Sequence, residues 1–501
     1  MIKVKSTGLR AAANVCSHNG RNPLTAMFAC DETILGQGYA VYCLFEDCHA
    51  HDIKVVRAQF EIDEELKYES LTPLFPAAAW YEREIFDMFG IEPVGHPDLR
   101  PLVLHESYPE GFYPLRKDIA ADADIHGERD FKIATAQGEG LFEVAVGPIH
   151  AGIIEPGHFR FSQAGEAILQ LDAKLFYTHR GIEKAVEGKT VDEALFIVER
   201  ICGACSVANT LSFCQAVEKL SDKSVSRRAW LIRTCLAELE RLYNHVGDTG
   251  NLCAGVGFTV PNNIGARLKE LLMRCNEQVA GNRFLRGMIV PGGVLFDIDE
   301  EKRNVIASTL DIVEKEYERL VQILSEQDGF LNRVKNTGVV LKKTAIDLSM
   351  VGVGARASGF RRDSRKDLAY GIYPELSFDV ITEQAGDVYA RLLVREKEFK
   401  ESIELVRQLV DLLNTENTSE LRVEDLTYRA EEGSWGVSES ARGSDLHWVM
   451  LDKNQKIYRL FVRSASYPNW PALPVALQGE IIPDFPLVNK SFELCYACLD
   501  R

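Results

Sequence analysis

The period of the apolar positions changes along the chain. In residues 35–62, the runs Tyr39-Ala40-Val41-Tyr42-Cys43-Leu44-Phe45 and Ile53-Lys54-Val55-Val56-Arg57-Ala58-Gln59-Phe60 alternate and are rich in aromatic and β-branched residues, which predicts a small sheet. Over residues 78–89, Trp80, Ile85, Phe86 and Phe89 fall at helical spacing and Gly90 supplies a stop, so an amphipathic helix is expected. From Asp118 to Gly140 the pattern dissolves into Ala, Asp and Gly. Beyond it the helical period prevails. Residues 189–220 open on the capping sequence Thr190-Val191-Asp192-Glu193 and meet a glycine interruption at Gly203, while 227–247, 264–282, 300–328 and 386–414 read as four further long helices. Strand-like residues return only near the end, at Lys456–Val462, and Pro468, Pro471, Pro474, Pro483 and Pro486 keep the last stretch irregular. The expected class is α+β. A small α+β domain spans 1–120, a linker 121–140, and a large, mainly α-helical bundle domain 141–501.

With 501 residues, 46% of them hydrophobic, the chain can bury sizeable cores. The net charge of −17 argues against nucleic acid as a partner, because phosphate binding needs clustered Lys and Arg. The basic run Arg361–Lys366 is short and broken by Asp363. No run of eighteen or more apolar residues occurs and Met1–Lys5 lacks the apolar core of a signal peptide, so a cytoplasmic location is expected. There is no phosphate loop, nucleophile elbow or His-Glu-x-x-His. Gly352, Gly354 and Gly359 read as turn and close-packing positions.

The candidate chemistry lies in cysteine. Two Cys-x-x-Cys pairs, Cys202/Cys205 and Cys495/Cys498, stand almost three hundred residues apart. On the residues alone, four thiolates in two pairs are most often a structural zinc site, with an iron–sulfur cluster as a further reading. The other eight cysteines are too sparse for a disulfide scaffold and read as reduced, buried small residues.

Context adds a resemblance. Glu155-Pro156-Gly157-His158-Phe159-Arg160, His179-Arg180-Gly181-Ile182-Glu183-Lys184, the two cysteine pairs, Ala441-Arg442-Gly443 and Tyr467-Pro468-Asn469-Trp470-Pro471 together resemble the large subunit of nickel–iron hydrogenases, from about Val144 to Arg501. Pro76–Ile91 and Gly111–Asp118 resemble the 30-kDa subunit of respiratory complex I. The fusion is similar to the complex-I-related, membrane-associated hydrogenases of the formate hydrogenlyase and hydrogenase-4 type. Their chemistry splits an apolar, very weakly acidic molecule, which calls for a soft metal with an open position and a nearby base; thiolates supply the softness.

The resemblance implies a NiFe(CN)2(CO) centre, with Cys202 and Cys495 as terminal nickel ligands and Cys205 and Cys498 bridging to iron. It implies Glu155 as the first proton relay, Arg442 over the open face of nickel, and Ser466 donating to a cyanide. Glu183, nineteen residues before Cys202, matches the carboxylate that binds a second cation, Mg²⁺; the usual C-terminal His ligand is Arg501 here, so a salt bridge is the alternative. Three departures surround this shell: Ala441 stands where Pro is usual, Glu493-Leu494 replace Asp-Pro, and Asn244 stands for Asp. His158 and His179 would orient neighbours. The implied partners are an iron–sulfur small subunit, a ferredoxin-like iron–sulfur subunit, integral-membrane subunits, formate dehydrogenase, a maturation protease and nickel-insertion proteins, placing the chain peripherally on the cytoplasmic face of the inner membrane. Other electron sources, carbon monoxide dehydrogenase or ferredoxin, stay open, as does a non-catalytic coupling subunit. Since the family's protease cuts just past the last cysteine pair, the sequence is also expected to be a processed form.

Overall fold

The computed structural model describes residues 1–18, 20–150, 154–416 and 420–501. Its first part is a four-stranded sheet of β1 (Ile2–Lys5), β2 (Leu24–Asp31), β3 (Tyr39–Asp47) and β4 (Asp52–Phe60) in the order β1-β4-β3-β2. β1 runs parallel to β4, and the other two pairings are antiparallel. Two helices, α1 (Leu9–Cys16) and α2 (Ala78–Phe89), pack on it. The sheet and α2 answer the alternating and helical runs read from the sequence, and α2 ends at Gly90 in the left-handed conformation a glycine adopts freely. Every residue of β2 and all but the first of β3 are buried, since the sheet is covered on both faces.

Residues 121–140, expected as a linker, contain no helix or strand, yet Arg129 donates to Pro109 O at 2.9 Å and Ala134 N–H to Asp172, which pins them to both flanks. A second antiparallel sheet follows, β5 (Leu141–Val146), β6 (His158–Ala164) and β7 (Ala167–Lys174). The helical part begins with α3 (Val191–Val198), whose capping box closes as the sequence suggests, with Thr190 and Glu193 satisfying each other's backbone N–H. The helix expected over 189–220 is broken: the first cysteine pair occupies a loop before α4 (Ser206–Glu218). Then come α5 (Arg227–Ala254), α6 (Thr259–Ala280), α7 (Glu300–Ser325) and α8 (Val388–Thr415). α5 packs on α6 and α8, and its crossing with α6 is tight because Gly250 and Gly265 face each other; a Cβ on Gly265 would lie 2.6 Å from Gly250 Cα.

The helical part holds more sheet than its periodicity suggests. β8 (Gly433–Ser440), β9 (Gly443–Leu451) and β10 (Ile457–Arg463) form an antiparallel sheet, of which only the last was expected. All of β9 is buried, so it shows no alternation, and its turn from β8 lacks the Asn-Gly or Asp-Gly signal. One face carries α4 and the other meets the N-terminal sheet, with Phe28 stacked on Phe461 at 4.4 Å and Tyr42 against Trp448 at 5.1 Å. Short helices α9 (Phe485–Phe492) and α10 (Tyr496–Asp500) end the chain. No helix among the described residues is long and apolar enough to cross a membrane.

Candidate metal centre

The first cysteine pair is held by one face of α5. Glu240, Tyr243 and Asn244 lie at i, i+3 and i+4 and all reach the main chain of the cysteine loop. Glu240 accepts from Val207 N–H at 2.7 Å and Ala208 N–H at 3.1 Å, capping α4. Tyr243 donates to Gly203 O at 3.0 Å, and Asn244 to Ala204 O at 2.7 Å and Glu240 O at 2.9 Å. An ionised Asp in place of Asn244 could donate to neither carbonyl, so this departure has a local use. Ala204 N–H donates back to Cys202 Sγ at 3.2 Å.

The second pair is delivered by the turn after α9, where Glu493 adopts a left-handed conformation. Ser466 Oγ accepts the Cys495 N–H at 2.9 Å, and Cys495 Sγ accepts the Cys498 N–H at 3.3 Å as the cap of α10. Asp500 takes N–H groups from Phe176 and Thr178, and His179 hydrogen-bonds Asp500 O at 2.6 Å. These contacts bring Cys202 Sγ to 3.2 Å from Cys495 Sγ, across 293 positions. The sulfurs of Cys202, Cys495 and Cys498 lie within 4.8 Å of one another, and the Cys205 thiol adjoins through Cys202 and Cys498. Thiol donors from the other three hold Cys202 well below the usual thiol range, while the same sharing pushes Cys205, Cys495 and Cys498 up.

Beside the sulfurs opens a cavity of about 540 Å³, lined among others by Cys495, Glu155, Arg442, Glu493 and His150. Glu155, an exposed residue on the cavity wall, accepts the Ala497 N–H at 2.6 Å, and desolvation within the cavity raises its carboxyl above the usual range. Arg442 and Ala441 form the two-residue turn between β8 and β9, against which Gly352 presses so closely that a Cβ would meet Arg442 O at 2.0 Å. The guanidinium is fixed by Asp248 at 2.9 Å and Glu493 O at 3.2 Å, leaving Nη1 buried without a partner among the described residues. Ala441 is buried and offers no polar side-chain atom.

Glu183 lies elsewhere in the arrangement. One carboxylate oxygen accepts from Arg459 at 2.7 Å; the other accepts from Arg501 at 3.0 Å and from Val462 N–H at 2.9 Å. Two guanidinium groups thus engage both carboxylate oxygens, which is the salt-bridge alternative to Mg²⁺. Motif reading missed Glu240 and Tyr243, which carry no local signal in the sequence because α5 already holds many charged and polar residues, among them Arg233, Glu238, Arg241 and His245. It also missed Asp248 and Arg459, whose partners lie far away in sequence and leave no local pattern.

The structure's two parts match different family models. The respiratory-chain NADH dehydrogenase 30 Kd subunit covers residues 2–124, the 49 Kd subunit of the same enzyme residues 255–434 and 422–501, and the nickel-dependent hydrogenase residues 180–253. Formate hydrogenlyase subunit 5 of Escherichia coli (strain K12) is 35% identical over 485 residues, 95% of this chain and 84% of that protein. Hydrogenase-4 component G of the same strain is 35% identical over 495 residues, 97% and 84%. Among solved structures, a chain of the membrane-bound sulfane sulfur reductase, an archaeal respiratory membrane complex, superposes with a TM-score of 0.68 at 25% identity, covering 72% of this chain and 99% of that one. With both cysteine pairs meeting beside the cavity, the chain belongs to the complex-I-related nickel–iron hydrogenase large subunits of the formate hydrogenlyase and hydrogenase-4 type.

Proposed function

We propose that the chain is the catalytic subunit of a membrane-associated [NiFe] hydrogenase complex, reducing protons to dihydrogen or oxidising it, with Cys202, Cys205, Cys495 and Cys498 holding a NiFe(CN)2(CO) centre. The observation that carries this is the meeting of two thiol pairs 293 positions apart at the wall of a cavity that also presents a carboxyl and a free guanidinium donor. The residues fit such a group. Four adjoining thiols, three of them buried and Cys495 partly so, repel one another when ionised, so a full thiolate set needs soft cations among them. The bound metals would supply the soft, electron-rich position at which dihydrogen is made or split. The sulfurs of Cys202, Cys205, Cys495 and Cys498 would together hold the two metals.

The chain's own groups divide the remaining work. Glu155 Oε2 is engaged by Ala497 N–H, so Oε1 takes up and returns the proton, and desolvation in the cavity keeps the carboxyl protonated to higher pH than one in open water. Arg442 Nη1 and the Ser466 hydroxyl, whose oxygen already accepts the Cys495 N–H, would be available to donate to the cyanide ligands of such a centre. Arg501 and Arg459 take the place of Mg²⁺ at Glu183, since a guanidinium neutralises a buried carboxylate without coordination.

Electrons come through a separate iron–sulfur subunit, fed by a ferredoxin-like subunit, because the other cysteines are dispersed and, apart from Cys48, buried. Formate dehydrogenase is the proposed source, and integral-membrane subunits anchor the assembly, with this chain peripheral on the cytoplasmic face of the inner membrane. A maturation protease and nickel-insertion proteins load the site. Cys205→Ser tests the reading: hydrogen evolution and nickel retention should both vanish, because an alkoxide is a poor bridge between soft metals. A Cys205→Ser protein that keeps both would remove the assignment.

A further inference from the structure

The motif Trp80-Tyr81-Glu82-Arg83-Glu84 has no part in the metal site, yet it touches Arg501, at the end of the segment that carries the second cysteine pair, and Tyr467, next to the residue that holds the segment's start. Trp80, Tyr81 and Glu84 share one face of α2, Glu84 lying one turn beyond the two aromatics. From that face Glu84 Oε1 accepts from Arg501 Nη2 at 2.8 Å. The other guanidinium nitrogen, Nη1, donates to Glu183 at 3.0 Å and Val462 O at 2.8 Å. Arg501 is only 2% exposed, and Glu84 and Glu183 are buried as well. Arg459 on Glu183 completes a dry set of two carboxylates and two guanidiniums whose charges balance. Removing one member strands a buried charge, which is costly out of contact with water.

The aromatic pair makes the second contact. Tyr81 stacks on Tyr467 at 4.7 Å and Trp80 meets the same ring edge-on at 5.8 Å. Tyr467 directly follows Ser466, the acceptor of the Cys495 N–H. One helix of the N-terminal part therefore holds the far end of segment 495–501 directly, through charge, and its near end indirectly, by packing on Tyr467 beside the Ser466 that accepts the Cys495 N–H.

We propose that α2 is a clamp on the cysteine-bearing segment, with Glu84 as a positioning residue that fixes Cys495 and Cys498 by holding Arg501. This gives the fused N-terminal part a role in shaping the centre, beyond any in assembly. It rests on the metal reading only for its consequence, since the clamp acts on the chain without metal.

Amide hydrogen exchange on the full-length, metal-free chain tests it. Glu84→Gln keeps the shape and removes the charge; Arg501→Lys keeps the charge and loses the fork that spans two carboxylates. Both should speed exchange over 496–501 by about tenfold or more, a local opening that leaves the N-terminal sheet protected. Should Glu84→Gln also loosen β2–β4, Arg501→Lys decides, because it leaves α2 unaltered. Unchanged exchange over 496–501 in Arg501→Lys overturns the clamp. Nickel content of the metal-loaded wild type is read separately: nickel present with no exchange effect sinks the clamp alone, and nickel absent sinks the metal reading alone.

Discussion

Four adjoining thiols set the terms for each group around them, and Glu155 is the group whose chemistry is most directly testable. Its carboxyl is raised by desolvation in the cavity ahead of any charge term, and the nearby Cys202 thiolate raises it further. Glu155→Gln keeps the acceptor for Ala497 N–H but cannot carry a proton, so nickel should stay while turnover falls by roughly two to four orders of magnitude. In the wild type, turnover that needs the protonated acid should decline as pH rises through this raised value; the Gln variant should lack that limb. Normal turnover in Glu155→Gln would mean that protons travel elsewhere. Glu155, Arg442 and the four cysteines were legible because each sits in a short motif. Glu240, Asp248, Arg459 and Glu84 were not, because what they hold is main chain or a side chain hundreds of positions away.

Among helices and strands, α5 does the most to shape the site. Its Glu240 is buried, has no cationic partner among the described residues, and is pushed up to about 8 from 4.5 by burial, partly offset by the N–H groups of Val207 and Ala208. A carboxyl raised on folding contributes stability that is complete below the unfolded value and lost as pH climbs through the folded one. In the metal-free chain, the melting temperature should therefore fall between about pH 5 and 8, and Glu240→Gln should flatten that fall. Equal slopes for the two proteins would contradict the burial of an unpaired carboxyl. The long helices were readable from their period, and α3 from its capping box. The break before α4 was not, since the loop is imposed by the cysteines and by α5, neither of which alters local propensity. The β8–β9 hairpin was hidden for the opposite reason: burial on both faces erased the alternation that marks a strand, and Ala441-Arg442 is no recognised turn pair.

Considered as one body, the chain joins its two parts through a packed aromatic and ionic seam. Phe28 lies between Tyr42 and Phe461, and Arg362 pairs with Glu46 at 2.6 Å. Phe28→Ala should cost about 3–5 kcal/mol in denaturant unfolding and loosen both parts together. Separate transitions, with only the N-terminal one shifted, would mean the seam is weaker than its packing implies. At the heart of this body, the two cysteine pairs are proposed to hold nickel and iron. Elemental analysis of the anaerobically purified complex tests this most directly: one nickel per wild-type chain, with iron from this centre, and no nickel in Cys498→Ser. Zinc in the wild type in place of nickel, or nickel retained in Cys498→Ser, would contradict the account.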